Sequence, residues 1–267
     1  MSAAERELVA TACRILAGAG QDDLIWGHAS VRDPEGRGVW IKSAEWSLAE
    51  ITPDRVHLVD PDGAVLAGEG ARHSDYPVHT GIMMARPDAG AVVHTHPPFS
   101  VALAATGQEL RPISHAANFF VPPAVPRFTD TADLILTRDL GRSVAATLGD
   151  VPALFLVNHG IVTVGSTLEE ATVAAVLLEH ACHQQLLTAS AKNCPAGRRR
   201  RSRCASGSTS TAGAPSPRCG LTSCVSCPCE AVGRWPCRGL VRSAECRAAL
   251  TALLGWPRQQ ISREGFC

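Results

Sequence analysis

Two histidines separated by a single residue end an apolar run in the middle of the chain. His94 and His96 close the stretch 91–96, which has the composition of a buried β-strand and is followed by two prolines. Side chains two residues apart on a strand point to the same face, so both imidazoles can bind one divalent metal ion. His159 ends another apolar run, where Gly160 lets the backbone turn without a side chain in the way. Three imidazoles on strand ends, with coordination positions left over, are typical of a catalytic metal site; ordinary core or surface histidines are the alternative.

Asp75 lies at the start of a helix predicted from Tyr76 to Met84. A carboxylate in this position is favoured by the free backbone amides and by the helix dipole, so Asp75 or Ser74 can simply be the helix cap. The other interpretation is chemical, with Asp75 as a general acid/base or as a fourth metal ligand. The residues alone leave both interpretations open.

The elements that must position these groups are a mixture of helices and paired strands. Helical spacing and capping boxes at Ser2-x-x-Glu5 and Ser166-x-x-Glu169 contribute to the helix predictions. The predicted helices are 3–18, 76–84, 131–148 and a last one from 166 to about 190, and the predicted strands are 30–32, 39–42, 56–59, 64–66, 91–96, 154–157 and 161–164. The stretch 106–129 has little periodicity and is predicted to be a loop with short strands. This is a mixed α/β order without the Gly-rich fingerprint of a dinucleotide-binding fold.

The composition excludes several classes of protein. The 267 residues are 45% apolar and 19% charged, with a formal net charge of zero. This excludes a globally basic nucleic-acid-binding protein and an acidic disordered chain. No run of eighteen apolar residues predicts a transmembrane helix, and Glu5 and Glu7 replace the basic start of a signal peptide. We therefore expect a cytoplasmic protein.

Four motifs follow one another along the chain, namely Gly27-His28-Ala29-Ser30-Val31-Arg32, His73-Ser74-Asp75-Tyr76, His94-Thr95-His96-Pro97 and Asn158-His159-Gly160. In their order and spacing they resemble the class II aldolase/adducin family across residues 5–190. The resemblance implies a three-layer α/β/α domain over residues 1–192, with a central mixed, largely antiparallel sheet. It also implies a homotetramer with active sites between subunits.

The same resemblance implies roles for individual residues. His94, His96 and His159 match the family's three metal ligands, and Asp75 occupies the position of its acid/base, which is usually Glu. The ion is one Zn, Mn, Fe or Co per subunit, since neutral imidazoles suit each of them. His28 stands where the sugar-phosphate enzymes usually carry an Asn that helps to hold the phosphate.

The departures from the sugar-phosphate pattern favour a different substrate. His73-Ser74 replaces a pair of serines, and Ser43 follows Lys42 where the family often has Ser/Thr-Gly near the substrate. We therefore expect His28, Ser43, His73 and Ser74 to bind a small carboxylated molecule, with Arg72 and Lys42 adding positive charge. This is similar to the decarboxylase branch of the family, such as the 3,4-dihydroxyphthalate enzymes.

We predict a metal-dependent carbon–carbon lyase that decarboxylates an ortho-hydroxylated aromatic dicarboxylate, with no nucleic-acid or membrane partner. A sugar-phosphate aldolase or 4-epimerase is the alternative enzyme. Non-catalytic adducin-type members represent another class, although they tend to lose the three histidines that this chain retains.

Residues 193–267 have a different composition from the rest of the chain. They hold nine of the eleven cysteines, twelve Arg, no Lys and three acids, so their net charge is +9 and that of residues 1–192 is −9. Cys224-x-x-Cys227 gives half of a zinc module, and the run Arg198–Arg201 suits a basic nucleic-acid-binding tail. The interpretation we favour is a low-complexity, disordered or frame-shifted tail, because a GC-rich gene translated out of frame yields this composition. A truncated, inactive family member is then a further alternative.

Overall fold

The structure is a computed structural model and describes residues 2–192; the prediction for 193–267 lies outside them. The helices are α1 (Ser2–Leu16), α2 (Tyr76–Ala85), α3 (Pro98–Ala105), α4 (Arg138–Leu148) and α5 (Leu168–Lys192). The strands are β1 (His28–Arg32), β2 (Val39–Lys42), β3 (Val56–Val59), β4 (Val65–Ala67), β5 (Ala91–Thr95), β6 (Arg127–Phe128), β7 (Ala153–Leu156) and β8 (Gly160–Gly165). Short helical turns occur at Ala17–Gln21, Leu48–Glu50, Pro53–Arg55 and Ala117–Phe119.

The eight strands form one sheet in the order β4-β3-β2-β1-β5-β8-β7-β6. Within the described part of the chain the neighbouring strands are antiparallel, except for β6 and β7, which are parallel. The predicted mixed, largely antiparallel sheet is confirmed. The two central strands are β1 and β5, with β8 next to β5, and His28 on β1 pairs directly with His94 on β5.

Alternating side chains divide the sheet into two apolar faces. Residues such as Trp40, Val93 and Phe155 pack with α1, α3 and α5 on one face. Their neighbours Val92 and Leu154 point the other way, toward α2 and α4. Each fully buried aliphatic or aromatic side chain contributes about 1.5–3 kcal/mol relative to exposure. The resulting three-layer α/β/α architecture confirms the predicted fold class.

Some helix boundaries differ from the sequence predictions. The helix predicted over 131–148 begins only at Arg138, because the Thr137 side chain caps it by accepting a hydrogen bond from the Leu140 amide. α5 starts one residue later than its predicted capping box. Thr167 caps it by accepting from the amide of Glu170, whose carboxylate in turn accepts from the Ser166 amide.

Helix α3 was not predicted and follows directly after His96. Its first turn is fixed by the buried Glu179 of α5, which accepts hydrogen bonds from the amides of Phe99 and Ser100 and from the Ser100 hydroxyl at 2.7–3.0 Å. At the other end, the Arg127 guanidinium donates to the carbonyl of Ala104. Hydrogen bonds therefore fix both ends of the short helix that follows His96.

The turn between β1 and β2 contains a buried carboxylate whose hydrogen-bonding capacity is well used. Asp33 accepts from the Arg37 guanidinium at 2.8 and 2.9 Å, from the Arg37 amide at 3.2 Å and from the Trp40 indole at 2.9 Å. These donors lower the pKa of Asp33 to about 2. The carboxylate thus ties the turn to both strands.

Within residues 2–192, no helix is long and apolar enough to span a membrane.

Candidate metal centre

The ends of two neighbouring strands bring three histidines together. His94 is the fourth residue of β5, His96 follows the end of that strand, and His159 precedes β8. One ring nitrogen from each histidine lies within 4.8 Å of those of the other two. The Nε2 atoms of His94 and His96 are 3.1 Å apart. The shared strand face predicted the pairing of His94 with His96, and the position of His159 at the end of another strand predicted the third member.

Hydrogen bonds fix the orientation of two of these rings. Nδ1 of His94 lies 2.8 Å from the carbonyl oxygen of Ile161, and Nδ1 of His96 lies 3.2 Å from a carboxylate oxygen of Asp23. Both partners are acceptors, so each Nδ1 carries the proton and each Nε2 presents a lone pair.

Two lone pairs at this separation repel one another unless a cation or a proton lies between them. An ion with tetrahedral bonds of about 2.0–2.1 Å separates its nitrogen ligands by roughly 3.3 Å, so the spacing suits a divalent metal.

The protonation state of the cluster suits metal binding as well. Burial lowers the pKa of His94 well below its ordinary value, lowers that of His96, and lowers that of His159 to about 4. Each histidine is therefore neutral near pH 7 and can donate a lone pair. The cluster could hold one divalent ion with coordination positions left for a ligand.

The close approach of β8 to β5 requires glycine at position 160. A Cβ atom there would lie 2.5 Å from the carbonyl oxygen of Thr95 and 2.7 Å from Cδ2 of His96. Asn158 has φ +60°, a left-handed conformation that Asn tolerates better than most residues. These backbone features place His159 opposite the end of β5.

Asp75 faces the cluster from the start of α2. Asp75 occupies the N-cap position, as one of the two interpretations predicts, but its side chain makes no capping hydrogen bond. Oδ2 lies 4.0 Å from Nε2 of His159, and the buried Oδ1 has no hydrogen-bond partner among the described residues. Burial raises the pKa of Asp75 to about 6. A carboxyl group of this kind can both hold and release a proton near neutral pH.

The other predicted site residues lie in different environments. His28 is fully buried, with its ring centroid 4.9 Å from that of His94 and 3.9 Å from that of His73. Nδ1 of His73 accepts a hydrogen bond from the Asp75 amide at 3.4 Å, and burial lowers the pKa of His73 to about 3. Ser74 is exposed.

Ser43 and its neighbours line the strand ends beside His73. Ser43 is buried, its hydroxyl has no partner within residues 2–192, and its backbone forms a bridge with that of Arg72. The fully buried Lys42 donates to the carbonyls of Ile25 and Ser43, and burial lowers its pKa to about 8. The Arg72 guanidinium lies over the ring of Tyr76 at 4.3 Å.

Three neighbours of the cluster were given no role from the sequence, namely Asp23, Ser30 and His79. Asp23 orients His96, whereas Ser30 and His79 form hydrogen bonds behind His28. The spacing of Asp75 and His79, one helical turn apart, was a signal that could have identified His79. Asp23 lies in a loop, and nothing in its local sequence indicates its partner.

Comparisons with known proteins agree with this architecture. The family model of the Class II Aldolase and Adducin N-terminal domain matches residues 7–186. The chain is 35% identical over 205 residues to a 3,4-dihydroxyphthalate decarboxylase of Terrabacter sp., covering 71% of this chain and 83% of the relative. It is 38% identical over 184 residues to the decarboxylase NovR of Streptomyces niveus, covering 67% of each chain.

Solved structures resemble the fold as well. The L-fuculose 1-phosphate aldolase from Glaciozyma antarctica superposes with a TM-score of 0.64 at 28% identity, covering 71% of this chain and 74% of that one. An aldolase II superfamily protein from Pseudomonas syringae gives a TM-score of 0.64 at 31% identity, covering 70% and 76%.

Proposed function

The chain belongs to the class II aldolase and adducin family, and we propose that it is a metal-dependent lyase that decarboxylates an ortho-hydroxylated aromatic dicarboxylate, such as 3,4-dihydroxyphthalate. The observation that carries the proposal is the meeting of His94, His96 and His159 opposite the carboxyl group of Asp75, whose Oδ1 has no hydrogen-bond partner within residues 2–192. His28, Ser43, His73 and Ser74 would bind the substrate. The ion would be Zn, Mn, Fe or Co, and the enzyme a cytoplasmic homotetramer.

The ion would be held by Nε2 of His94 and His96 together with a ring nitrogen of His159. When bound, it would stabilise the negative charge that develops as the carbon–carbon bond breaks. Asp23 and the Ile161 carbonyl hold two of the three rings in orientation, so little reorganisation is needed.

In this proposal, Asp75 is the general acid that donates the proton. Loss of CO2 leaves an electron pair on the ring carbon, and that carbon must gain a proton to give the product. The Asp75 carboxyl can donate this proton because burial keeps it partly protonated near neutral pH. Its free Oδ1 is available for a hydrogen bond to the substrate.

The relatives support decarboxylation over aldol cleavage. Those named as 3,4-dihydroxyphthalate decarboxylases are 34–35% identical and match 66–71% of the chain. A 5-methylthioribulose-1-phosphate/5-deoxyribulose-1-phosphate aldolase of Rhodospirillum rubrum is 33% identical but matches 59% of the chain. A sugar-phosphate aldolase remains the second candidate because the solved structures that resemble the fold include L-fuculose 1-phosphate aldolases.

The deciding experiment measures the metal content of the purified protein and its activity on 3,4-dihydroxyphthalate before and after chelation. We expect about one divalent ion per chain, and CO2 release that is lost on chelation and restored by metal. Bound metal without CO2 release, together with cleavage of a ketose 1-phosphate, would favour the aldolase. A folded protein that binds no metal would favour a non-catalytic or truncated member.

A further inference from the structure

A line of three buried polar side chains runs behind the candidate metal centre. Oγ of Ser30 on β1 lies 2.6 Å from Nδ1 of His79 on α2, and Nε2 of His79 lies 2.5 Å from Nδ1 of His28. All three residues are fully buried. At the end of the line, Nε2 of His28 has no hydrogen-bond partner in the described part of the chain.

The open end of this line faces the other groups of the site. His28, Asp75 and His94 each offer one ligand atom, and these atoms lie within 4.8 Å of one another. Since Nδ1 of His28 is occupied by His79, the available nitrogen is Nε2. A buried, unpartnered nitrogen costs free energy, and a bound ligand would recover that cost.

The chemistry at the open end depends on which nitrogens carry protons. Burial holds the pKa of His79 at about 3, so its ring is neutral and carries one proton. Ser30 can donate its hydroxyl proton to the carbonyl oxygen of Val92, which lies 3.5 Å away, and can then accept from Nδ1 of His79. Nε2 of His79 is then an acceptor for the proton on Nδ1 of His28. This polarity leaves a lone pair on Nε2 of His28.

The charge expected at His94 favours the same placement of protons on His28. A cation bound at His94 attracts a lone pair on Nε2 of His28 and repels an N–H proton there. An imidazole lone pair accepts a hydrogen bond from a hydroxyl group but cannot bind an ionised carboxylate.

We propose that Ser30 and His79 are positioning residues that fix His28 as a hydrogen-bond acceptor, and that His28 thereby selects a hydroxyl group of the substrate. This rests on the proposed function and deepens it, because it assigns His28 to the ortho-hydroxyl rather than to a carboxylate. Other groups must then bind the substrate carboxylates, and the positively charged ammonium of the buried Lys42 is a candidate. Aromatic diacids without the hydroxyl would lose this contact.

The direct test is ¹⁵N spectroscopy of the histidine rings in the full-length, zinc-loaded protein. We expect His28 to show a protonated Nδ1 and an unprotonated, uncoordinated Nε2 that gains a hydrogen bond when 3,4-dihydroxybenzoate is added. A proton on Nε2, or a zinc-bound Nε2, would overturn the inference. This measurement needs no substitution and no turnover, so its result is separate from the fate of the decarboxylase proposal.

A set of variants tests the positioning role. His79→Gln retains an amide oxygen for Nδ1 of His28 and an amide N–H for Ser30, whereas His79→Leu and Ser30→Ala interrupt the line. We expect the interrupting variants to keep their metal content and to raise KM for the hydroxylated substrate about five- to tenfold, with His79→Gln near wild type. Thr80→Val is the matched control, because this neighbouring buried hydroxyl donates to the Tyr76 carbonyl at the same helix.

Equal KM in all four variants, or a Ser30→Ala protein whose His28 keeps the wild-type tautomer, would contradict the positioning role. If the wild-type protein releases no CO2, the proposed function fails, while the tautomer of His28 still decides the inference about the line itself.

Discussion

Two buried aspartates in this protein have opposite electrostatic environments. Asp33, in the turn between β1 and β2, accepts four hydrogen bonds, and its pKa falls to about 2. Asp75, at the start of α2, has one oxygen with no partner within residues 2–192, and its pKa rises to about 6. Both side chains are nearly closed to solvent, at 1% and 3% exposed, and they differ in the hydrogen-bond donors that offset the cost of burial.

The difference distinguishes buried polar groups that stabilise the fold from buried polar groups that are available to bind a ligand. Donors in the chain itself satisfy Asp33, and the same is true of Glu179 at the start of α3. Among the unpartnered buried side-chain atoms of residues 2–192, those of His28, Asp75 and His159 lie at or beside the candidate metal centre, whereas those of Glu5, Arg6 and His57 lie elsewhere in the fold. A folded protein retains such groups at a cost in stability, and sites that bind ligands are where that cost is commonly found.

The strongest test of this contrast removes a proposed metal ligand. His94→Ala should lose bound metal and reduce activity to background, because the ring of His94 contacts both other histidines, with centroids 4.8 Å from His96 and 4.9 Å from His159. Metal analysis and CO2 release measure the two effects. His180→Ala, on the exposed side of α5, is the control and should keep its metal. An active, metal-free His94→Ala protein would end the proposed mechanism.

Replacing the carboxyl group at the site should move activity and stability in opposite directions. Asp75→Asn should lower kcat about 10²–10⁴-fold, since the amide cannot transfer the proton. The same change should raise the free energy of unfolding of the chelated protein at pH 7 by about 1–2 kcal/mol, because a buried charge is removed. Urea denaturation at pH 4 and pH 7 measures this.

The sign of the pH effect follows from the raised pKa of Asp75. The folded chelated protein binds this proton more tightly than the unfolded chain does, so stability falls as pH rises from about 4 to about 6. In Asp75→Asn, the part of this pH-dependent loss of stability that Asp75 causes should be absent. A variant that is less stable than wild type at pH 7 would break the contrast between the two aspartates.

Crowding the turn beside the cluster should have a smaller effect. Gly160→Ala forces a Cβ against the Thr95 carbonyl and the ring of His96, so we expect a loss of about 1–3 kcal/mol and weaker metal binding. Thermal unfolding and metal titration measure both. Gly18→Ala is the control, because nothing lies within 4 Å of its added Cβ. Equal metal affinity in both variants would show that the turn does not position the ligands.

We expect the smallest effect at Asp33, whose carboxylate already accepts four hydrogen bonds. Asp33→Asn should lower the free energy of unfolding by about 1–2 kcal/mol at pH 7, a value reduced because the partner Arg37 is 44% exposed. The lowered pKa means that this stabilisation is complete above about pH 4 and is lost as pH falls through about 2. The difference between variant and wild type should therefore shrink between pH 7 and pH 3. Glu35→Gln, an exposed partner of the same Arg37, should change stability by less than about 0.5 kcal/mol.

The regular elements of the fold were largely predictable because their signals are local. The predicted strands 39–42 and 56–59 are those observed, since alternating or continuous apolar residues and adjacent turn residues determine them. Helix α3 was missed because Pro97-Pro98 was interpreted only as the end of a strand. Proline also suits the first turn of a helix, and the distant Glu179 stabilises that turn.

The candidate site was predictable to the extent that its residues follow strand ends. His94, His96 and His159 were found from their positions next to apolar runs and beside proline or glycine. The line from Ser30 through His79 was not found, because it depends on the register of β1 against β5 and on how α2 packs against them. The spacing of Asp75 and His79 places both on one face of a helix, but nothing in the sequence indicates that His79 contacts Ser30 and His28.

The placement of α5 has a consequence for the order in which the molecule can be made. α1 and the segment after it pack against α5, and Gln21 donates a hydrogen bond to the Ala175 carbonyl, 154 residues later. During synthesis, the contact of the amino-terminal helix with α5 must therefore wait for nearly the whole domain to leave the ribosome, whereas its contacts with β1 and β2 can form earlier. Such distant pairing slows folding and leaves apolar surface exposed to other molecules in the interval. Interruption of translation before α5 would thus leave the apolar surface that α5 covers exposed, even though all eight strands had already been synthesised.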